Sequence, residues 1–233
     1  HRQATETALV ARLRELLQQA TPGSDAQLQL MTAFAAHAAS EQDVAWVRAL
    51  YTGTEQLEGL SVDTEMRWTL LTSLAAAGAA GEAEIRAEHD RDRTATGAER
   101  AARARAARPT AEAKAEAWRI AVEEQDAANQ TVEALALGWG RVHDAQALLA
   151  PYVQRYHDAL TGVWESRTHA IAESIAVGFY PRGLANAALR DASQAWLDVH
   201  PDAPAGLRRT VAENRDGITR ALACQARDAE RPA

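Results

Sequence analysis

The run from Asp63 to Gly78, DTEMRWTLLTSLAAAG, constrains the fold of this chain more than any other. Both of its ends are marked. Asp63 is a good N-cap, able to accept a bond from a free backbone N–H of the first turn. Gly78 suits the left-handed residue that follows a last helical turn. At about 100° per residue, Met66, Leu70 and Leu74 lie along one arc, and Leu71, Ala75 and Trp68 carry it round the cylinder. An apolar arc that wide has to be covered on two sides. The helix therefore belongs in the inner layer of a stacked helical array, between neighbours.

Arg67 falls inside that arc. A guanidinium there needs a carboxylate or a carbonyl, because an unpaired buried charge is prohibitive. Two roles compete: a structural arginine pinning one helix pair to the next, and a ligand-facing arginine lining a groove. The structural role is favoured, since ion-pair networks commonly serve structure. A second inner helix is expected over 110–123, opened by Thr110 after Pro109 and carrying Trp118. Trp68 and Trp118 are expected to be mostly buried, with Arg67, as structural residues.

Alternating Val, Ile and Thr runs of the kind a half-buried strand needs are missing. The chain of 233 residues is 47% hydrophobic, so a large core is available, but alanine dominates the apolar content and phenylalanine occurs only twice. Small side chains let helix axes approach closely. The fold class is all-α.

The helices follow in order. Residues 4–20 carry a stripe of Ala8, Leu9, Leu13, Leu16 and Leu17. Ser24 with Gln27 forms a capping box, Ser bonding forward and Gln back, and opens a helix on Leu28, Met31, Phe34, Ala35 and Ala38. Ser40 caps a third, with Val44, Val47, Leu50 and Tyr51. After 63–78 come a short polar helix at 82–93, with Ala83, Ile85 and Ala87 as its apolar contacts, and another at about 97–107. Beyond 110–123 lie helices at 130–139, from Asp144 to Trp164 with Pro151 tolerated or marking a break, and from Ser166 to Phe179. The last two span 184–199 and a long run capped by Asp202, ending in the polar tail RDAERPA. About a dozen helices of this size suit an irregular α-α superhelix, a HEAT- or armadillo-like stack of antiparallel pairs without a crisp period. The six tryptophans are spread almost one per pair, as interlayer packing.

No catalytic centre is legible. None of the histidines (His1, His37, His89, His143, His157, His169, His200) begins an H-E-x-x-H helix, in which two imidazoles one turn apart would grip zinc. Three precede an aspartate, but adjacent helical residues diverge by about 100°, so solvated faces are the better account. No glycine-rich phosphate loop and no G-x-S-x-G elbow are present. The acids Glu82, Glu84, Glu88, Asp90 and Asp92 are interleaved with Arg86, Arg91 and Arg93 and read as a salt-bridged outer face. The Arg100–Arg108 group has no aromatic residue between Trp68 and Trp118 to stack a base. A formal charge of −7 further argues against nucleic acid or an anionic membrane surface. The one cysteine, Cys224, excludes an intrachain disulfide framework, fits a reducing, cytoplasmic setting, and reads as a small buried or half-buried residue. No signal peptide or membrane-length apolar run is visible, and the abrupt opening HRQATETALVARL reads as a cut from a longer polypeptide.

The runs VDTEMRWTLLTSLAAAGAAGEAEI and RPTAEAKAEAWRIAVE resemble the C-terminal helical domain of actinobacterial enzymes in the gluzincin family of zinc aminopeptidases, which includes the endoplasmic-reticulum aminopeptidases. LLAPYVQRYHDALTGVWESRTHAIAESIAVGFYP and LRRTVAENRDGITRALACQARD are similar to later parts of the same domain. The resemblance covers nearly the whole chain. It implies one helical-repeat domain over 1–233, short of its first helices, that closes a peptide-holding chamber over a thermolysin-like catalytic domain. Zinc and the motifs G-A-M-E-N and H-E-x-x-H would belong to that other domain. None is present here, so the resemblance assigns no catalytic, metal or cofactor residue, and the chain alone is expected to be inactive. The implied partners are the parent's catalytic domain and peptide substrate, without nucleic acid or membrane. The alternative is a stand-alone helical scaffold binding a protein or peptide on a concave face; a reading frame continuing upstream into G-A-M-E-N and H-E-x-x-H would decide against it.

Overall fold

The computed structural model describes residues 2–230. His1 and residues 231–233 of the polar tail lie outside them. The described residues form thirteen α-helices and no strand, the all-α class expected. Backbone contacts gather into two compact units, 1–108 and 109–233.

The first unit contains α1 (Arg2–Gln19), α2 (Asp25–His37), α3 (Glu41–Thr52), α4 (Thr64–Ala76), α5 (Glu82–Arg91) and α6 (Ala95–Ala107). Consecutive helices pack as hairpins, α1 on α2, α3 on α4 and α5 on α6, while α4 also touches α2 and α6. Packed from three sides, α4 buries every residue from Leu70 to Ala76, besides Met66 and Trp68. The wide arc requires this. Asp63 caps α4 by accepting from the Met66 N–H at 2.9 Å. Its other end is a Schellman turn: Ala79 N–H donates to the Leu74 carbonyl and Gly78 N–H to that of Ala75. The motif needs a left-handed residue, and Gly78 supplies it at φ 73°.

Two expectations for this unit shift in detail. In α1 the buried residues are Val10 and Leu17, with Leu9 42% exposed. The stripe is rotated by about one residue, since α1 packs mainly on α2 while its Arg14 reaches Asp43 and the Trp46 ring of α3. Leu28 is likewise exposed, and Gln27 is buried in its place. Gln27 accepts from Gly23 N–H at 2.9 Å and donates to the Glu58 carbonyl at 2.8 Å. Its return bond thus reaches one residue before the cap and also ties the 53–62 loop to α2. Gly59, at φ 78°, lies so close that a β-carbon would sit 2.2 Å from Gly23 N.

The second unit contains α7 (Ala111–Trp118), α8 (Asn129–Trp139), α9 (Ala145–Leu149), α10 (Tyr152–Ser166), α11 (His169–Gly178), α12 (Ala187–Val199) and α13 (Ala205–Ala229). The helix expected over 110–123 changes hand-hold midway: after Trp118 it continues as a π-helical turn, Arg119–Glu123. The helix expected from Asp144 breaks at Ala150–Pro151, where proline has no N–H to give the ladder. Ser166 ends α10 and does not open α11, because its hydroxyl donates back to the Gly162 carbonyl at 2.7 Å. Thr168, extended at ψ 150°, is the cap. Residue 184 cannot start a helix because Ala185 is left-handed at φ 41°; Asn186 caps α12 through the Leu189 N–H. The last helix follows Pro204, not Asp202, and its Arg208 donates to the Leu197 carbonyl that ends α12.

Candidate functional site

The polar centre of the first unit is built on α4, α3 and α5. Arg67 leaves α4 on the side covered by α3, where Tyr51 lies in the last turn. Its Nε and Nη2 donate to Glu88 Oε1 and Oε2 at 2.7 and 2.6 Å, and Nη1 donates to the Tyr51 carbonyl at 3.2 Å. The guanidinium also lies over the Tyr51 ring, 4.6 Å from its centroid. The Tyr51 hydroxyl completes the group by donating to Glu88 Oε2 at 3.0 Å. Glu88, one α5 residue with its side chain 3% exposed, thereby joins three helices.

The electrostatics follow from this geometry. Burial pushes the Glu88 carboxyl up, but bonds from Arg67 and Tyr51 outweigh it and hold the group below its ordinary value. The Glu88 bond raises Arg67. Burial, then the adjacent carboxylate, pushes Tyr51 up to about 12. All three keep their ordinary charge states at neutral pH. None is poised to move a proton.

A cleft of about 620 Å³ opens beside Arg67, between the end of α3 and the 53–62 loop; Tyr51, Glu55, Leu57, Leu60 and Val62 line it. Arg67 thus both holds Glu88 and borders the cleft. Three of its five N–H groups are used on Glu88 and Tyr51, and the side chain remains 23% exposed at the cleft wall. Its partners favour the structural role.

Trp68 is buried, as is Trp118. The Trp68 indole N–H donates to Asp92 at 2.9 Å. Asp92 also accepts from Thr94 and Arg100, and the Thr94 and Trp68 bonds hold its carboxyl below the usual range. The acidic run around α5 is the expected salt-bridged face only in part: Asp90 pairs with Arg93 at 3.4 Å and Glu88 lies 3.9 Å from Arg91, while other acids reach further. Glu82 binds Arg105 of α6, Glu84 binds Arg48 of α3, and Glu88 is buried on Arg67. Ile85 is its buried apolar residue, whereas Ala83 and Ala87 are exposed. Arg100 and Arg105, which gave the stretch its basic look, are consumed by these acids. Among the described residues no group of three or more His, Cys, Asp or Glu side chains could hold a metal.

Trp118 belongs to a ring cluster in the second unit. It lies 5.3 Å from Tyr152 and 5.9 Å from Phe179, and Trp139 sits 5.2 and 5.3 Å from the same two rings. Lys114, one turn before Trp118, is fully buried; its amine reaches the Gly138 carbonyl at 3.5 Å, and burial lowers it to about 7. A second cleft, about 640 Å³, lies along the π turn and α10 and is lined by Trp118, Val122, Glu123, Arg155 and Arg167.

His157 departs from the solvated face expected of it. It is 5% exposed, with one ring nitrogen on the Val153 carbonyl and the other on Ser193. His143 is exposed and His89 half-buried. Cys224 is exposed on the last turns of α13, contrary to the buried or half-buried setting expected. Sequence signals for these features were absent: burial of His157 depends on a serine 36 residues away.

A family model for the ERAP1-like C-terminal domain matches residues 1–220. The chain is 47% identical over 213 residues to an aminopeptidase N of Streptomyces lividans, an overlap covering 91% of this chain and 25% of that protein. The chain spans about a quarter of the length of this relative.

Proposed function

The chain belongs to the ERAP1-like C-terminal domain family, and from that premise we propose that it is a non-catalytic helical part of a zinc-dependent aminopeptidase N. Its role there is to close the peptide-holding chamber over a catalytic part that supplies the zinc. The observation that carries this reading is the 47% identity to the Streptomyces lividans aminopeptidase N, confined to a quarter of that protein. The absence of H-E-x-x-H and G-A-M-E-N from the sequence supports it from the other side. The partners are then the catalytic part of the same enzyme and its peptide substrate, at work in the cytoplasm. No helix among the described residues is long and apolar enough to cross a membrane.

The geometry suits a wall more than a reactive centre. Arg67, Tyr51 and Glu88 hold their ordinary charge states, and their bonds fix α3, α4 and α5 to one another. A chamber wall has to keep its shape while substrates enter and leave, and bidentate arginine–carboxylate bonds are directional enough to enforce it.

The test uses the Streptomyces lividans enzyme with the matching quarter deleted. The truncated enzyme should still cleave aminoacyl anilides but lose its discrimination among peptides by length, and this chain added in trans should restore it. The chain alone should cleave no anilide with or without zinc. Zinc-dependent turnover by the chain alone, or a truncated enzyme indifferent to it, would overturn the proposal.

A further inference from the structure

The second unit holds a buried, uncharged polar chain that neither the ring cluster nor the proposed wall requires. His157 on α10 places Nδ1 2.7 Å from the Val153 carbonyl one turn back. A carbonyl only accepts, so Nδ1 carries the proton. Nε2, 3.0 Å from Ser193 Oγ of α12, is then an acceptor in the neutral ring, and Ser193 donates to it. Ser193 is fully buried, and Tyr180 faces its oxygen at 3.0 Å and donates in turn. The chain runs in one direction: Tyr180 to Ser193 to His157 to the Val153 carbonyl.

Ser193 has a second place for its hydrogen. The Leu189 carbonyl lies 3.0 Å from Oγ. When Nε2 gains a proton, the serine hydroxyl must turn to that carbonyl, and its oxygen then accepts from both His157 and Tyr180. Every hydrogen bond survives this reversal. What changes is the charge, now in a site closed to water. Charged and titratable groups around the ring give it little support. On α10, Asp158 is exposed and accepts from Gln154, and the Tyr156 ring stands edge-on at 5.1 Å. After α11, Tyr180 is itself influenced by Arg182 and by Arg215 of α13, both positive.

We propose that His157 is an acid-sensitive latch between α10 and α12, whose protonation reverses the Ser193 hydroxyl and loosens α12 and α13 from α10 and α11. The buried imidazole titrates below its ordinary value, burial outweighing the Val153 bond and Asp158. A histidine lowered on folding binds fewer protons folded than unfolded. Stability is thus lost as pH falls from about 6.5 toward the folded value, by at most about tenfold per pH unit in the closed-to-open ratio.

Ring nitrogen NMR on the full chain should show the neutral Nδ1–H form with titration below about pH 6.5. Amide hydrogen exchange at about pH 5 and about pH 7.5, corrected for intrinsic rates, should show several-fold loss of protection in α12 and α13 and none in α4. His157→Gln keeps an acceptor toward Ser193 without the titration and should abolish that pH dependence. An Nε2–H tautomer, an ordinary titration, or the same acid response in His157→Gln would each overturn the latch. The tautomer measurement on the unaltered chain decides the matter even where His157→Gln does not fold.

Discussion

The two units hold their helices together by different chemistry. In the first, arginine–carboxylate bridges cross between helices: Arg67 to Glu88, Arg48 to Glu84, Arg105 to Glu82, Arg100 to Asp92. Between them α6 turns fully buried Ala101, Ala104 and Ala107 inward, and α6 packs on α4. In the second, rings cluster around Trp139, and the buried polar residues His157, Ser193 and Tyr180 bond to one another in a chain. Close-packed alanine helices leave room at their margins for long side chains that bond across. In the second unit α8 and α11 approach closely where Gly178 meets Ala136, and large rings fill the space beside that contact. The difference teaches that directional ion pairs and shape filling are alternative ways to fix the same kind of helix hairpin.

The largest effect should come from the ring cluster. Trp139→Ala removes a fully buried side chain in contact with three other rings and should destabilise the protein by roughly 3–5 kcal/mol in a denaturant titration. A loss below about 1 kcal/mol would mean the cluster collapses around the gap.

Arg67→Ala leaves Glu88 buried without its main partner and should cost about 3 kcal/mol, somewhat less than the deepest pairs because Arg67 is partly exposed. The double variant Arg67→Met, Glu88→Leu should be less damaging than Arg67→Ala alone, since no charge is then stranded. The pair also has a pH signature. Because Glu88 is lowered on folding, its contribution is present above the unfolded carboxylate value near 4.5 and is lost as pH falls through the folded one. Arg67→Ala should flatten that acid loss. An unchanged acid midpoint would show that Glu88 is not held by Arg67.

Lys114 provides the opposite pH sign in the second unit. Its folded value of about 7 lies below the ordinary 10.5, so the unfolded chain binds the extra proton between them. Stability should rise with pH through that window, by at most about 1.4 kcal/mol per pH unit. Lys114→Met should abolish the rise. A slope that persists in the variant would assign it to other groups.

The smallest effect should be at the cap. Asp63→Ala removes the bond to the Met66 N–H and should cost about 1 kcal/mol, visible as a modest drop in Tm. Asp63→Asn should restore most of it.

Much of the first unit was legible residue by residue. The caps at Ser24, Ser40 and Asp63, and the turn at Gly78, act within three to five residues, so sequence alone exposes them, as it does the Thr110 cap in the second unit. The same local reasoning misplaced the start of α11, because Ser166 and Thr168 are both acceptable caps and only the backbone decides which is extended. It left Pro151 open between a tolerated proline and a break, and the chain breaks there; it overran Ala185. The π turn after Trp118 left no local mark, and the clefts are shapes that no single stretch contains.

The sequence by itself determined that this chain is helical, that α4 lies between neighbours, and that Arg67 must meet an oxygen. Each follows from periodicity or from the cost of burying a charge, which hold wherever the helix sits. Only the tertiary structure decided that the oxygen belongs to Glu88, that the α5 acids face arginines of other helices, and that His157 is sealed against Ser193. Those pairings join residues 21 to 36 positions apart. Their choice depends on which helix faces meet when many hairpins compete to bury the same small side chains, and that competition is settled by the packing of the whole unit.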